Sequence, residues 1–180
     1  GEEEQYQAYR QAIDGMQGLP VTIRTVDVGA DKPLDDRRHD AAHLNPALGL
    51  RAIRYCLAEP QLFNTQLRAI LRASKHGNIQ ILIPMLSSLD ELNQALTAIA
   101  YAKEQLKDEG KKFNENIKVG GMIEIPAAAL TLQMFLPKLD FISIGTNDLI
   151  QYTMAVDRVN ELVSYLYEPL HPALLRLVRD

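Results

Sequence analysis

Apolar positions along the chain switch between two periods, and the switching predicts an alternating series of strands and helices. Val21 to Val26 is a β-branched run read as a strand; Ile79 to Ile83, Val119 to Ile125 and Phe141 to Ile144 are three more. Between them apolar residues recur at three-to-four spacing. Phe63, Leu67, Ile70 and Leu71 mark a helix over about 60–74, and Leu89, Leu92, Leu96, Ile99 and Leu106 mark a longer one. Ser88 and Glu91 form a capping-box signature in front of the long helix, and Gly110 stops it. Glu4 to Met16 reads as a polar helix, and Asn45-Pro46 as the cap and first turn of a helix to about Leu57. Pro126 opens a short alanine-rich helix, and another starts after Gly145. Gly29 to Leu44 carries no period and reads as a long loop, a length uncommon unless functional.

Strands alternating with helices imply βαβ units and a parallel sheet. The strand interiors read as apolar on both faces, the pattern of a sheet covered on both sides. Four strands do not close a barrel, so the fold class is α/β, either a small open sheet or part of a (β/α)8 barrel of the TIM type. The chain opens directly into one helix-like stretch and ends at Asp180 inside another. Both ends read as cuts in a longer polypeptide, which favours a partial barrel occupying residues 1–180 as one unit.

Composition narrows the function classes. A chain of 180 residues with 47% hydrophobic and 23% charged residues is an ordinary globular sequence, so disorder is excluded as the main description. The net charge of −4 without a basic run argues against a general nucleic-acid binder, though not against a local cationic pocket. No stretch approaches a membrane span, and the acidic start lacks the features of a signal peptide. The single cysteine, Cys56, rules out a disulfide framework within the chain and fits a reducing, cytoplasmic setting.

The candidate chemistry collects at the carboxyl ends of the strands, the ligand-binding edge of α/β folds. Arg24, Asp27 and Lys32 follow the first strand, Glu124 the third, and Asn147 and Asp148 the fourth. Glu124 lies between Ile123 and Ile125, where a carboxylate is costly unless paired or metal-bound. Two carboxylates from neighbouring strand ends suit a hard cation such as Mg²⁺. They equally suit a buried ion pair and a helix cap, and spacing alone does not separate these readings. Arg24 and Arg158 would supply two-pronged donors for phosphate or carboxylate, while Arg51 and Arg54, on an otherwise apolar helix, read alternatively as ordinary surface or salt-bridge residues, the more frequent case.

Four blocks resemble the Enzyme I family of the bacterial phosphoenolpyruvate:sugar phosphotransferase system. They are Arg24-Thr25-Val26-Asp27-Val28-Gly29-Ala30-Asp31-Lys32, Asn45-Pro46-Ala47-Leu48-Gly49-Leu50-Arg51-Ala52-Ile53-Arg54, Met122-Ile123-Glu124-Ile125-Pro126-Ala127-Ala128 and Ser143-Ile144-Gly145-Thr146-Asn147-Asp148-Leu149-Ile150-Gln151-Tyr152. The last is followed by Asp157-Arg158, and the first separates this family from phosphoenolpyruvate synthase and pyruvate phosphate dikinase.

The resemblance implies a C-terminal (β/α)8 barrel that binds phosphoenolpyruvate and Mg²⁺ and forms a homodimer. It implies that Arg24 and Arg158 bind the phosphate, that Asn147 contacts substrate, and that Glu124 and Asp148 hold the metal. Lys32 and Arg51 match further cationic positions near the substrate. The family moves the phosphoryl group to an enzyme histidine and then to a histidine-containing phosphocarrier protein for sugar uptake. Neither its acceptor histidine nor its acid cysteine matches a residue here. His39, His43, His76 and His171 read as loop or helix-end residues and Cys56 as packed, so the expectation is a substrate-binding portion inactive by itself. A Mg²⁺-dependent lyase or aldolase would also place a Glu and an Asp at strand ends, and a non-enzymatic assembly module is the third class.

Overall fold

In the computed structural model, residues 1–27 and 46–180 are described. The expectations at Lys32, the Gly29–Leu44 loop, His39, His43 and the Asn45 cap lie outside them. The described elements in chain order are α1 (Glu2–Gly15), β1 (Val21–Arg24), α2 (Ile53–Ala58), α3 (Pro60–Ala73), β2 (Ile79–Ile83) and α4 (Leu89–Asp108). They continue with β3 (Lys118–Ile123), α5 (Pro126–Leu130), α6 (Leu132–Phe135), β4 (Phe141–Ile144), α7 (Thr146–Met154) and α8 (Pro172–Arg179), with short 3₁₀ turns between some of them.

All three strand pairings are parallel, and the sheet order is β1-β2-β3-β4. A doubly wound sheet reverses its order at a switch point. This one does not, and its sequential order is that of successive units in a (β/α)8 barrel wall. The expected α/β fold with four parallel strands and flanking helices is therefore present, with β1 and β4 as the edges.

The expectation that both sheet faces are covered is corrected. Val21, Ile79, Ile81, Ile83, Val119 and Ile123 alternate onto one face and pack with α3 and α4 in a single core that includes Phe63, Leu67, Ile70, Leu92 and Ile99. The opposite face carries Thr22, Arg24, Gln80, Leu82, Met122, Phe141 and Ser143 around an open concavity of about 520 Å³. Gly120 lies on that side against the Phe141 ring, where an added Cβ would stand 2.4 Å from it. The strands read as apolar runs because the polar residues on the open face are few: Thr22 and Arg24 on β1, Gln80 on β2 and Ser143 on β4. Such a run does not tell two covered faces from one.

A second correction concerns residues 46–57. The expected continuous helix is a 3₁₀ turn at Pro46–Leu48 followed by α2, and the break falls at Ala52, which is fully buried at φ 53°. Elsewhere the local signals hold. Glu91 N–H donates to Ser88 Oγ at 3.3 Å and Ser88 N–H to Glu91 Oε1 at 3.0 Å, closing the capping box of α4. Gly110 ends that helix at φ +67°. At the start of the chain α1 is fastened to α3 by ion pairs: Glu2 meets Arg68 at 2.8 Å and Arg72 at 3.0 Å, and Glu3 meets Arg72 at 2.8 Å.

Candidate active site

Three strand ends and the segment before α2 converge on one charged cluster. Glu124, the first residue after β3, is 1% exposed. Its Oε1 accepts a 2.7 Å hydrogen bond from the Met85 backbone N–H, just past β2. Met85 is itself 1% exposed and holds φ at 63°, a left-handed conformation uncommon for a residue with a side chain. That conformation directs its N–H at the carboxylate. Strain of this kind concentrates where the surrounding structure fixes a functional geometry.

The other oxygen of Glu124 faces Gly145, at the turn between β4 and α7. A Cβ at Gly145 would stand 2.7 Å from both Cβ and Oε2 of Glu124 and 3.2 Å from Met122 Sδ. Only a glycine fits beside a carboxylate so held. Gly145→Ala should therefore lower stability by about 1–3 kcal/mol, the usual penalty of overpacking a fixed site. Urea denaturation would measure it; an unchanged midpoint would mean that Glu124 can move aside.

Asp148, in the first turn of α7, completes the acidic pair. Burial first, and the adjacent Asp148 carboxylate second, push the Glu124 carboxyl up to about 8; the Met85 N–H opposes them. Arg51 offsets part of this negative charge. Its Nε meets Asp27 Oδ1 at 3.2 Å and its Nη2 meets Asp148 Oδ2 at 3.4 Å. Burial alone would weaken the Arg51 guanidinium's hold on its proton, but Asp27 and Asp148 outweigh it and the net shift is upward. Tyr152, one turn beyond Asp148 on α7, lies 3.5 Å from Arg51 Nη1 and donates to the Ala47 carbonyl. Asp27 also reaches Arg24 Nη1 at 3.5 Å. Arg24 is half exposed, on the open face of the sheet.

The structure thus brings together five residues: ion pairs join Arg24, Asp27, Arg51 and Asp148, and the Asp148 carboxylate adjoins Glu124. Arg51, ambiguous in the sequence, is the cation at its centre. Asn147 and Arg158 are not joined to it. The Asn147 side chain is exposed and accepts a 3.1 Å hydrogen bond from the Tyr167 hydroxyl. Arg158 is exposed; its backbone N–H donates to Gln151 Oε1 at 3.3 Å, and its guanidinium makes no ion pair among the described residues. Arg54 donates to the carbonyls of Leu48 and Gly49 at 3.4 Å, a local contact.

Two contributors, Met85 and Tyr152, escape the sequence reading, and Asp27, a candidate at the end of the first strand, has in Arg51 a partner that nothing in the sequence gives. Met85 acts through its backbone, for which Pro84 after an apolar strand is the only hint. Tyr152 stands four residues after Asp148, a helical spacing that could have suggested a shared face.

The other predicted bystanders are placed as follows. Cys56 is fully buried, and burial pushes its thiol up to about 12, which leaves it unreactive. His76 shares a 2.7 Å hydrogen bond with the Tyr6 hydroxyl, and His171 Nδ1 caps α8 by accepting from Ala173 N–H at 3.1 Å. No helix among the described residues is long and apolar enough to cross a membrane. Nor does any group of three or more His, Cys, Asp or Glu among them form a metal cage.

The family described as "PEP-utilising enzyme, PEP-binding domain" matches residues 1–180. The phosphoenolpyruvate-protein phosphotransferase of Cupriavidus necator is 60% identical over 179 residues, covering 99% of this chain and 30% of that protein. The protein of the same name from Listeria monocytogenes is 51% identical over 178 residues, 99% of this chain and 31% of its own. The one from Bacillus subtilis is 49% identical over 177 residues, 98% and 31% respectively. The chain therefore spans about 30% of the length of these relatives. A solved citrate lyase from Burkholderia xenovorans superposes with a TM-score of 0.47 at 18% identity, over 63% of this chain and 34% of that one. With its whole length matched, the chain belongs to the PEP-utilising enzymes, within their PEP-binding domain.

Proposed function

We propose that this chain is the phosphoenolpyruvate- and Mg²⁺-binding part of a phosphoenolpyruvate-protein phosphotransferase. The parent protein would pass the phosphoryl group to an enzyme histidine and then to a phosphocarrier protein for sugar uptake. It would work in the cytoplasm as a homodimer. The observation that carries the reading is the meeting of Glu124 and Asp148, from adjoining strand ends, with Arg51 from the segment before α2, beside Arg24. Phosphoenolpyruvate is small and highly anionic, and cations on both sides of it suit its charge.

The residues present fit a Mg²⁺ ion. Glu124 and Asp148 would hold it: both are hard oxygen donors, and Glu124 is buried, accepts from the Met85 N–H and adjoins the second carboxylate. Two carboxylates rather than a closed cage are what Mg²⁺ needs when water and substrate oxygens complete its shell. When bound, the ion supplies charge neutralisation for the phosphoryl and developing enolate oxygens.

The chain's own residues do the rest. Arg24, on the open sheet face, and Arg158, after α7, would bind the phosphate through paired N–H donors. Asn147 would orient the substrate from the start of α7. Arg51 holds Asp148 in place through their ion pair, and Lys32 would add positive charge. Arg158 and Asn147 are exposed and unengaged by the cluster, so in this reading they close on the substrate when it binds.

Isothermal titration of phosphoenolpyruvate with and without Mg²⁺ tests the reading. Binding should require the metal, and phosphate-free pyruvate should bind at least tenfold more weakly, since charge-assisted contacts to phosphate are worth well over 1 kcal/mol. Equal affinities for the two would favour a lyase acting on 2-oxoacids. Arg158→Lys should weaken phosphoenolpyruvate binding by about tenfold, because an ammonium cannot reproduce the two-pronged contact. A silent substitution would leave Arg158 a surface residue.

A further inference from the structure

We propose that Gln66, on α3, is a positioning residue that sets the end of β1 and thereby the placement of Arg24 and Asp27. The proposal rests on the reading of Arg24 as an anion-binding residue. Gln66 is 5% exposed, and a buried amide in an otherwise apolar helix face is costly unless fully hydrogen-bonded. Two of its three partners are on the strand exit and none is on its own helix. Oε1 accepts from Val26 N–H at 2.9 Å, and Nε2 donates to the Arg24 carbonyl at 3.4 Å.

The placement answers a backbone need. The ladder to β2 ends with Thr25 N–H donating to the Leu82 carbonyl at 3.0 Å. β1 is an edge strand, so its alternate backbone groups face away from β2. The Arg24 carbonyl and the Val26 N–H, either side of Thr25, are both taken up by the one amide. The Val26 carbonyl is met by Cys56 Sγ at 3.8 Å. Side chains of α2 and α3 thus hold the path of β1 beyond Arg24 as far as Val26, the residue before Asp27.

The amide cannot be turned round. Val26 N–H is only a donor, which requires an oxygen there. On the other side the Tyr9 hydroxyl lies 3.4 Å from Gln5 Oε1, to which it donates, and 3.1 Å from Gln66 Nε2, from which it accepts. Tyr9 belongs to α1, which the Glu2 and Glu3 ion pairs fasten to α3. The relay runs from α1 through Tyr9 and Gln66 to the arginine of the site, and Gln66 touches neither substrate nor metal ligand.

Gln66→Met keeps length and volume and removes all three hydrogen bonds, the two to the strand exit and the one to Tyr9. In the variant the Val26 amide should shift upfield in ¹H–¹⁵N spectra and exchange faster, and the Arg24 Nε order parameter should fall. With Mg²⁺ present, affinity for phosphoenolpyruvate should drop about tenfold, the scale of a misplaced ligand-binding group. Ile99→Val, which trims the core on α4 away from the strand exits, serves as a control for general destabilisation and should leave affinity and the Val26 amide unchanged. Should Gln66→Met fail to fold, Tyr9→Phe frees the Gln66 amide and should move the same two signals in the same direction. An unmoved Val26 amide and Arg24 order parameter overturn the proposal, as does wild-type affinity in a variant whose amide has moved. If the wild type does not bind phosphoenolpyruvate while the two signals do move, the anion-site reading fails and the positioning of β1 by Gln66 stands.

Discussion

Glu124→Gln should make the metal-free protein more stable than wild type above about pH 7 and abolish most of its stabilisation by Mg²⁺. The sign follows from the raised carboxyl. In the unfolded chain Glu124 ionises near its ordinary value of 4.5; in the folded protein it holds its proton to about 8. Below the lower value both states are protonated and the contribution is fully present. As pH rises between the two, the unfolded state releases a proton that the folded state keeps. Stability then falls, by at most about 1.4 kcal/mol per pH unit, and levels off above the folded value. A glutamine copies the protonated form: Oε1 still accepts from Met85 and Nε2 replaces the acid proton beside Asp148. The variant lacks this fall. Mg²⁺ binds the ionised carboxylate, so in wild type it should raise the urea midpoint most at high pH, as a ligand of the folded state must. Urea titrations from pH 5 to 9, in EDTA and in millimolar Mg²⁺, would show this. Parallel wild-type and variant curves under both conditions would remove Glu124 from the metal site.

The same pair of residues shows what a sequence discloses. Glu124 stood out because a carboxylate between two isoleucines at the end of an apolar strand has to be accounted for chemically, and Asp148 because it follows another strand. The periodicity gave four strands in their order, two of them to the residue, Ile79–Ile83 and Phe141–Ile144. Hydrophobic period is a local property that a short window records. Which face of a strand is covered is not local: Thr22, Gln80 and Ser143 share an open face only because parallel registry aligns them. The helix break at Ala52 is hidden for a related reason. Alanine is the best helix former, and tertiary packing overrides it at φ 53°. Backbone donors are hidden altogether, since Met85 N–H contributes to the site independently of the side chain the sequence prints. Arg51 and Arg54 are three residues apart on one stretch, and nothing in their spacing says that one lies between two aspartates while the other reaches only neighbouring carbonyls.

Arg51 is accordingly where the second large effect is expected. Its side chain is 19% exposed, and those of its partners Asp27 and Asp148 are 14% and 13% exposed. Replacing it by methionine keeps much of the volume and removes the charge, leaving two largely buried carboxylates beside Glu124 with only the distant edge of Arg24 near one of them. Removing one partner of a buried pair costs about 3–5 kcal/mol because the other charge is stranded. Residual exposure and the 3.5 Å contact from Arg24 to Asp27 place Arg51→Met at the lower end, about 3 kcal/mol at neutral pH. Arg51→Lys should fall between the two, since one ammonium cannot reach both aspartates as a planar fork does. Phosphoenolpyruvate binding should be lost in Arg51→Met even where the variant is fully folded, because Asp148 is no longer held. Mg²⁺ should restore part of the lost stability, since an ion held by Glu124 and Asp148 supplies positive charge next to the group Arg51 neutralised. Urea midpoints with and without the ion, beside the same measurement on wild type, separate these contributions. If Arg51→Met proves as stable as wild type, the cluster is not held together by this cation, and Asp27 and Asp148 must be solvated independently.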